Sequence, residues 1–187
     1  MTDLRPAVPG PTGSIEIRRL TAADWAQLRV ARLAALAEAP EAFASTLDRE
    51  LGFDEATWRG RLRSTAYFGA VPAGRGAAPA SSGAAPRALV GLVAGFPEPG
   101  QADGWHLVSM WVSPVVRGRG VADRLVGAVC DLARTQGAAW VALWVTDVNQ
   151  RALAFYRRAG FAATGEWQLV RADEPGHGEQ RMVRQLV

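Results

Sequence analysis

Arg117-Gly118-Arg119-Gly120-Val121-Ala122 is the stretch on which the reading of this 187-residue chain turns. It stands between a strand-like segment, His106 to Val112, and a helix-like one whose Val121, Leu125, Val129 and Leu132 share a face before Gly137 ends it. Two glycines permit a tight turn and close approach of backbone to a ligand. Successive N–H groups in such a turn, with the positive end of the following helix, form a phosphate cradle, and Arg117 and Arg119 add cationic reach. A pyrophosphate-bearing ligand is the natural occupant. As a dinucleotide fingerprint the segment fails, because Asp123 stands where the third glycine of G-x-G-x-x-G belongs. It also lacks the lysine of an NTPase phosphate loop.

Working outward, residues 1–13 are rich in Pro and Gly without periodicity and are expected to be a disordered leader, with a single domain over 14–187. Ile15 to Leu20 alternates as a strand. Thr21 caps a helix in which Trp25, Leu28, Leu33 and Leu36 run towards Pro40. Phe43 to Phe53 reads as a loop, Asp54 and Glu55 open a second helix carrying Trp58 and Leu62, and Tyr67 to Val71 is the next strand. Residues 72–86, mostly Ala, Gly, Pro and Ser, are expected to be a flexible insertion.

Ala88 to Phe96 and His106 to Val112 should pair as a hairpin across a turn containing Pro97, Pro99, Gly100 and Gly104. Beyond the glycine turn and its helix, Trp140 to Val145 is the nearly continuous apolar run of a strand buried on both faces. Asn149 caps a helix ending at Gly160, and 162–170 with 180–187 fit a terminal hairpin. The total is about seven strands and about four helices in mixed α/β order, without an internal repeat.

A second motif lies about thirty residues after the first: Asn149-Gln150-Arg151-Ala152-Leu153-Ala154-Phe155-Tyr156-Arg157-Arg158-Ala159-Gly160-Phe161. Asn149, Ala152 and Tyr156 are spaced by three and four, so one helix face can line a ligand. Together the two motifs resemble the GNAT superfamily of acetyl-CoA-dependent N-acetyltransferases. Arg117, Gly120 and Ala122 match its [Arg/Gln]-x-x-Gly-x-[Gly/Ala] pattern, and the second segment its Asn-x-x-Ala-x-x-x-Tyr-x-x-x-Gly-Phe. The resemblance is specific over Leu107 to Phe161.

That resemblance implies a mixed, largely antiparallel central sheet flanked by helices, and acetyl-CoA as acyl donor to an amine. It implies that the strand before the phosphate turn splays from its neighbour. The backbone of Met110, Trp111 and Val112 would then hold the pantetheine arm and polarise the thioester, while Arg117, Gly118, Arg119, Gly120, Val121 and Ala122 would hold the pyrophosphate. Tyr156 would protonate the leaving thiolate, and Asn149 and Ala152 would line the cofactor. Some family members carry a glutamate near the start of the strand before the phosphate turn; here His106 stands there, a candidate base with a pKa near ~6.5. Glu98, Asp103 and Asp147 are rivals. Plainer readings stay open: Tyr156 as a core aromatic, Asn149 as a cap only, and Gly118 and Gly120 as an ordinary turn. Trp25, Trp58, Trp140 and Trp144 are expected in the core, with Trp105 and Trp111 near the cleft.

Composition narrows the field. All 21 basic residues are arginine and the net charge is +3, but the arginines are scattered, which argues against a nucleic-acid partner. The longest apolar run, Ala138 to Val145, is too short to span a bilayer, and no apolar stretch follows the opening charges, so a soluble, cytoplasmic protein without a membrane partner is expected. One cysteine, Cys130, allows no internal disulfide and no structural metal cluster, and no metal is expected. A small-molecule or peptide amine acceptor is expected; homodimerisation is left open. The acceptor side is expected over 40–58 and 170–180, where His177 reads as solvent-exposed. The rival from another class is a non-catalytic acyl-CoA-binding or sensing domain, with a nucleotide-binding regulatory module as a third. Replacing 72–86 by a short Gly-Ser turn is expected to leave turnover intact, measured as CoA release by a variant that stays folded.

Overall fold

The computed structural model describes residues 13–73, 87–170 and 178–186. The expected leader up to residue 12, the insertion from residue 74 and His177 lie outside them. A seven-stranded sheet runs in the order β1-β2-β3-β4-β5-β7-β6. Its strands are β1 (Ile15–Arg19), β2 (Ala66–Pro72), β3 (Gly91–Pro97), β4 (Gly104–Val112), β5 (Trp140–Thr146), β6 (Ala162–Leu169) and β7 (Gly178–Gln185). β3 and β4 form the expected hairpin, and β4 with β5 is the one parallel pair among the described strands.

Five α-helices accompany the sheet: α1 (Trp25–Glu38), α2 (Leu47–Leu51), α3 (Glu55–Ser64), α4 (Val121–Thr135) and α5 (Gln150–Arg158). The expected number was about four. The additional helix, α2, lies inside the span read as a loop. Five residues are too few to display a helical period, and what makes them helical is the Thr46 hydroxyl accepting from the Arg49 amide, 3.3 Å, and the burial of Glu50. Thr21 caps a single 3-10 turn, Ala22–Asp24, ahead of α1, because the Asp24 carboxylate accepts from both the Thr21 amide and hydroxyl and draws the chain into a tighter first turn.

α4 crosses from β4 to β5 and buries Val121, Leu125, Val126, Val129 and Cys130 against one face of the sheet, with Leu153, Tyr156 and Phe161 from α5 and its end in the same cluster. Burial raises the Cys130 thiol pKa, as expected of an inert core cysteine. α1 and α3 cover the other face over β1 to β3 with Leu28, Leu36, Trp58 and Leu62. Of the tryptophans expected in the core, Trp58 is fully buried; Trp25 and Trp140 are half-buried beneath the guanidiniums of Arg59 and Arg181, and Trp144 is half-buried too.

The helical layer is tied together by one carboxylate. Glu50 is fully buried and receives Arg32 Nε at 3.2 Å on both oxygens, Arg32 Nη2 at 3.0 Å and Arg61 Nη1 at 3.0 Å, so α2 is fastened to α1 and α3 at once. Burial alone would raise its pKa, but the Arg32 hydrogen bonds and charge, with Arg61, hold it below the ordinary carboxylate range. Its stabilising effect is therefore present at neutral pH and lost as pH falls through that lowered value. Glu50→Gln is expected to cost about 3–5 kcal/mol in urea denaturation at pH 7, because two guanidiniums lose their counter-charge, and the gap to wild type should narrow in acid.

Candidate active site

β4 and β5 pair through three positions, Gly104 with Trp140, Trp105 with Val141 and His106 with Ala142, and then part. Beyond that point β5 keeps its other partner, β7, to Thr146, and β4 keeps β3 to Val112. The opening is set by β4 itself: between the pairs Leu92–Trp111 and Ala94–Val108 it spends one residue more than β3, a bulge that bends the strand. Ser109 in this bulge has φ of 58°, a left-handed value that costs a non-glycine residue roughly 1–3 kcal/mol. The strain sits where the strands separate.

A cleft of about 810 Å³ occupies the gap. Met110, Trp111 and Val112 form one wall, and Asn149, Ala152 and Phe155 the other. Gly118, Gly120, Val121 and Ala122 close one end, and Glu38, Glu41 and Phe43, from the end of α1 and the turn after it, complete the lining. A smaller chamber of about 90 Å³ continues inward between Val108 and Thr146, sharing Phe43, Met110, Asn149 and Ala152 with the cleft and reaching Tyr156. Trp144 lines this chamber, which is why it is not a core residue.

At the turn, Gly118 and Gly120 have φ of 77° and 69°, and Gly120 is the N-cap of α4. A Cβ at either would meet nothing within 4 Å, so the backbone dihedral, not space, requires glycine there. The first amides of a helix have no intrahelical acceptor, and α4 points its own into the cleft end together with its positive dipole. Arg117 lines the cleft, but its Nε donates to the Val112 carbonyl at 2.9 Å and its Nη2 to Glu38 at 2.7 Å; Trp111 Nε1 donates to the same oxygen at 3.1 Å. The Arg117 hydrogen bond, above the other causes, holds the Glu38 carboxyl below its ordinary range. Arg119 is exposed and outside the cleft lining.

Asn149 Oδ1 accepts from the Ala152 amide at 3.0 Å, capping α5, and the residue also borders both cavities. Tyr156 is buried between Phe155 and Phe161, with ring centroids 5.2 and 5.6 Å away. Burial raises its hydroxyl pKa well above the ordinary phenol, so it stays protonated across the working pH range. Its ring belongs to the core cluster and the residue also borders the inner chamber.

His106 lies outside the lining of both cavities. Its Nδ1 is 2.6 Å from Glu98 Oε2 and its ring stacks on Phe96. Glu98 also accepts from Arg181 at 3.3 Å, Asp103 is exposed, and Asp147 is half-buried just past β5. Trp105 packs in the core. Sequence reasoning did not single out Glu38 or Thr146. Glu38 acquires its place through Arg117, 79 residues away, which no local pattern signals. Among the described residues no group of three or more His, Cys, Asp or Glu could hold a metal ion, and no helix is long and apolar enough to cross a membrane.

The chain resembles known proteins over these same elements. Rat N-acetyltransferase 8F1 is 35% identical over 91 residues, 44% of this chain and 41% of that protein, so the chain spans well under two thirds of this relative. The crystal structure of nourseothricin acetyltransferase superposes with a TM-score of 0.54 at 26% identity, covering 66% of each chain. The Salmonella typhimurium protein yncA, solved with its cofactor acetyl-CoA, shares the fold with a TM-score of 0.65 at 18% identity, over 94% of this chain and 95% of that one. A family model described as the acetyltransferase (GNAT) family matches residues 35–161, from within α1 to just past α5, which is more than half of the sequence. The chain therefore belongs to the acetyltransferase (GNAT) family.

Proposed function

We propose that this protein transfers an acetyl group from acetyl-CoA directly to an amine nitrogen of a small-molecule or peptide acceptor. The observation that carries the reading is the cleft between the parted ends of β4 and β5, with a helix N-terminus and two left-handed glycines at one end and the buried Tyr156 hydroxyl at the inner one. Its volume suits an extended cofactor. Its amide cradle suits a pyrophosphate. Both are consistent with the acetyl-CoA found in yncA.

Gly118, Gly120, Val121 and Ala122 would hold the phosphates through backbone N–H groups, and Met110, Trp111 and Val112 would bind the pantetheine arm along the unpaired edge of β4. Acetyl-CoA supplies an activated acyl carbon with a thiolate leaving group. Fixed N–H dipoles on β4 stabilise the oxygen charge that develops on amine attack, and they need no reorganisation because β3 holds the strand in place. Tyr156, protonated at working pH, donates its proton to the departing sulfur. Asn149 keeps the first turn of α5, and so Ala152 and Tyr156, in position against the cavity. Arg117 and Glu38 hold the end of β4 against α1.

Two substitutions test the reading. Gly120→Ala must place a Cβ at φ of 69°, costing about 1–2 kcal/mol, and Gly120→Glu adds a carboxylate at the phosphate end. Calorimetry with acetyl-CoA should show weakened binding for the first and none for the second; unchanged affinity in a folded Gly120→Glu protein overturns the phosphate site. Tyr156→Phe removes only the hydroxyl. The expected result is a kcat lowered roughly ten- to a thousand-fold with acetyl-CoA affinity nearly unchanged, the loss shrinking as pH rises because a thiol near pKa ~8.5 leaves increasingly well unaided. A kcat within twofold of wild type at pH 7 removes Tyr156 from the mechanism and favours a packing role.

A further inference from the structure

The acyl-transfer reading leaves one proton unassigned. An amine acceptor arrives as an ammonium, and its nitrogen attacks only after losing a proton. The group that takes it should stand beside the inner chamber, on the acceptor side, as a carboxylate or imidazole not already neutralised by a fixed cation.

β5 and β7 bring such a group there. Thr146, the last residue of β5, lines the inner chamber, and its hydroxyl is buried without a hydrogen-bond partner among the described residues. Directly across the ladder from Thr146 is Glu179. Residues directly opposite in an antiparallel pair share a face, with Cβ atoms roughly 4.5–5.5 Å apart, so the Glu179 carboxylate stands over the same side of the sheet as the Thr146 hydroxyl. Trp144 and Arg181, paired two residues along, lie on that face as well. Thr146 is in the chamber lining, and Glu179, outside the lining of both cavities, stands one strand behind it on the same face of the sheet.

The neighbouring charges set Glu179 apart. Arg181 is committed to Glu98 and Glu166, at 3.3 and 3.0 Å. His106 is committed to Glu98. Glu179 is half-buried, takes its hydrogen bond from the neutral Gln168 amide, 2.7 Å across the β6–β7 ladder, and forms no ion pair among the described residues. The groups that face it are Gln168 and Glu166 on β6, Thr146 on β5 with Asp147 beyond it, His106 on β4, Glu98 before β4, and Arg181 on β7 itself. We infer that Glu179 is the proton acceptor for the acceptor amine: the ammonium gives its proton to the Glu179 carboxylate, the freed nitrogen lone pair forms the bond to the acyl carbon, and the carbon–sulfur bond breaks with its electrons on sulfur. Sulfur takes a proton from Tyr156, whose hydroxyl is restored by the second nitrogen proton. Glu179 then releases its proton to solvent. The inference rests on the acyl-transfer reading.

Burial raises the Glu179 pKa above the ordinary carboxylate value, against the hydrogen bond from Gln168 and the nearby His106, which moves the acid limb of the rate towards neutrality. The test is CoA release from acetyl-CoA between pH 5 and 9, with streptothricin, spermidine and n-propylamine as probe amines. Glu179→Gln keeps the shape and can still bond Gln168. It should lower kcat about 10²- to 10⁴-fold at pH 7, flatten the acid limb and leave acetyl-CoA affinity within twofold. Glu179→Asp should recover part of the rate. A Glu179→Gln enzyme within threefold of wild type overturns the assignment while leaving acyl transfer intact. So does an acid limb that responds to His106→Gln and not to Glu179→Gln, and so does a loss that tracks a lowered melting temperature. Wild-type protein that binds acetyl-CoA yet releases no CoA with any of the amines overturns the acyl-transfer reading itself, and the base with it.

Discussion

Everything at the site depends on two parallel strands that stop pairing. β4 and β5 hold each other through His106 and Ala142, and the backbone beyond is left with hydrogen-bonding groups turned towards a gap. Unpaired backbone polar groups in a protein interior are costly, so such a gap persists only if the strands are held from behind and if something polar can enter it. β3 and β7 do the holding, each running alongside its partner past the separation point. The bulge at Ser109 supplies the bend, and its left-handed backbone is the strain that such a bend stores.

Electrostatics then divide the gap into ends. The N-terminus of α4 makes one end attractive to anions without a lysine, through amides and dipole, while Arg117, which lines the cleft, is already engaged with Glu38 and the Val112 carbonyl. Arg117 therefore acts first as a brace between β4 and α1. On the other side of the opening the carboxylates gather: Glu98, Glu166 and Glu179 share a small area with Arg181 and His106. A chain of net charge +3 thus still gathers three carboxylates in one small area, apart from the helix dipole at the glycine turn. The cavity wall at Phe43 is steadied by a buried charge, since Arg32 lies over that ring at 4.5 Å while it grips Glu50.

Sequence by itself determined what is local. The glycine turn, the caps at Asp54 and Asn149, the apolar stripe of α4 and the buried run of β5 each depend on residues within a few positions of one another, and each is found where the pattern put it. The spacing of Asn149, Ala152 and Tyr156 placed all three on one helix face, and all three border the inner chamber. What only the tertiary structure decided has contacts that are distant along the chain. α2 is helical because Glu50 is caught between arginines from two other helices, and nothing in five residues announces that. Glu38 meets Arg117 across 79 residues, and Glu179 faces Thr146 only because β7 inserts beside β5 in that register. A histidine at the start of β4 is conspicuous in sequence, yet the fold gives it to Glu98 and Phe96; a glutamate near the end of the chain has no local pattern around it, and strand pairing sets it opposite Thr146, a residue of the chamber wall, because register is a property of two strands and is written in neither alone.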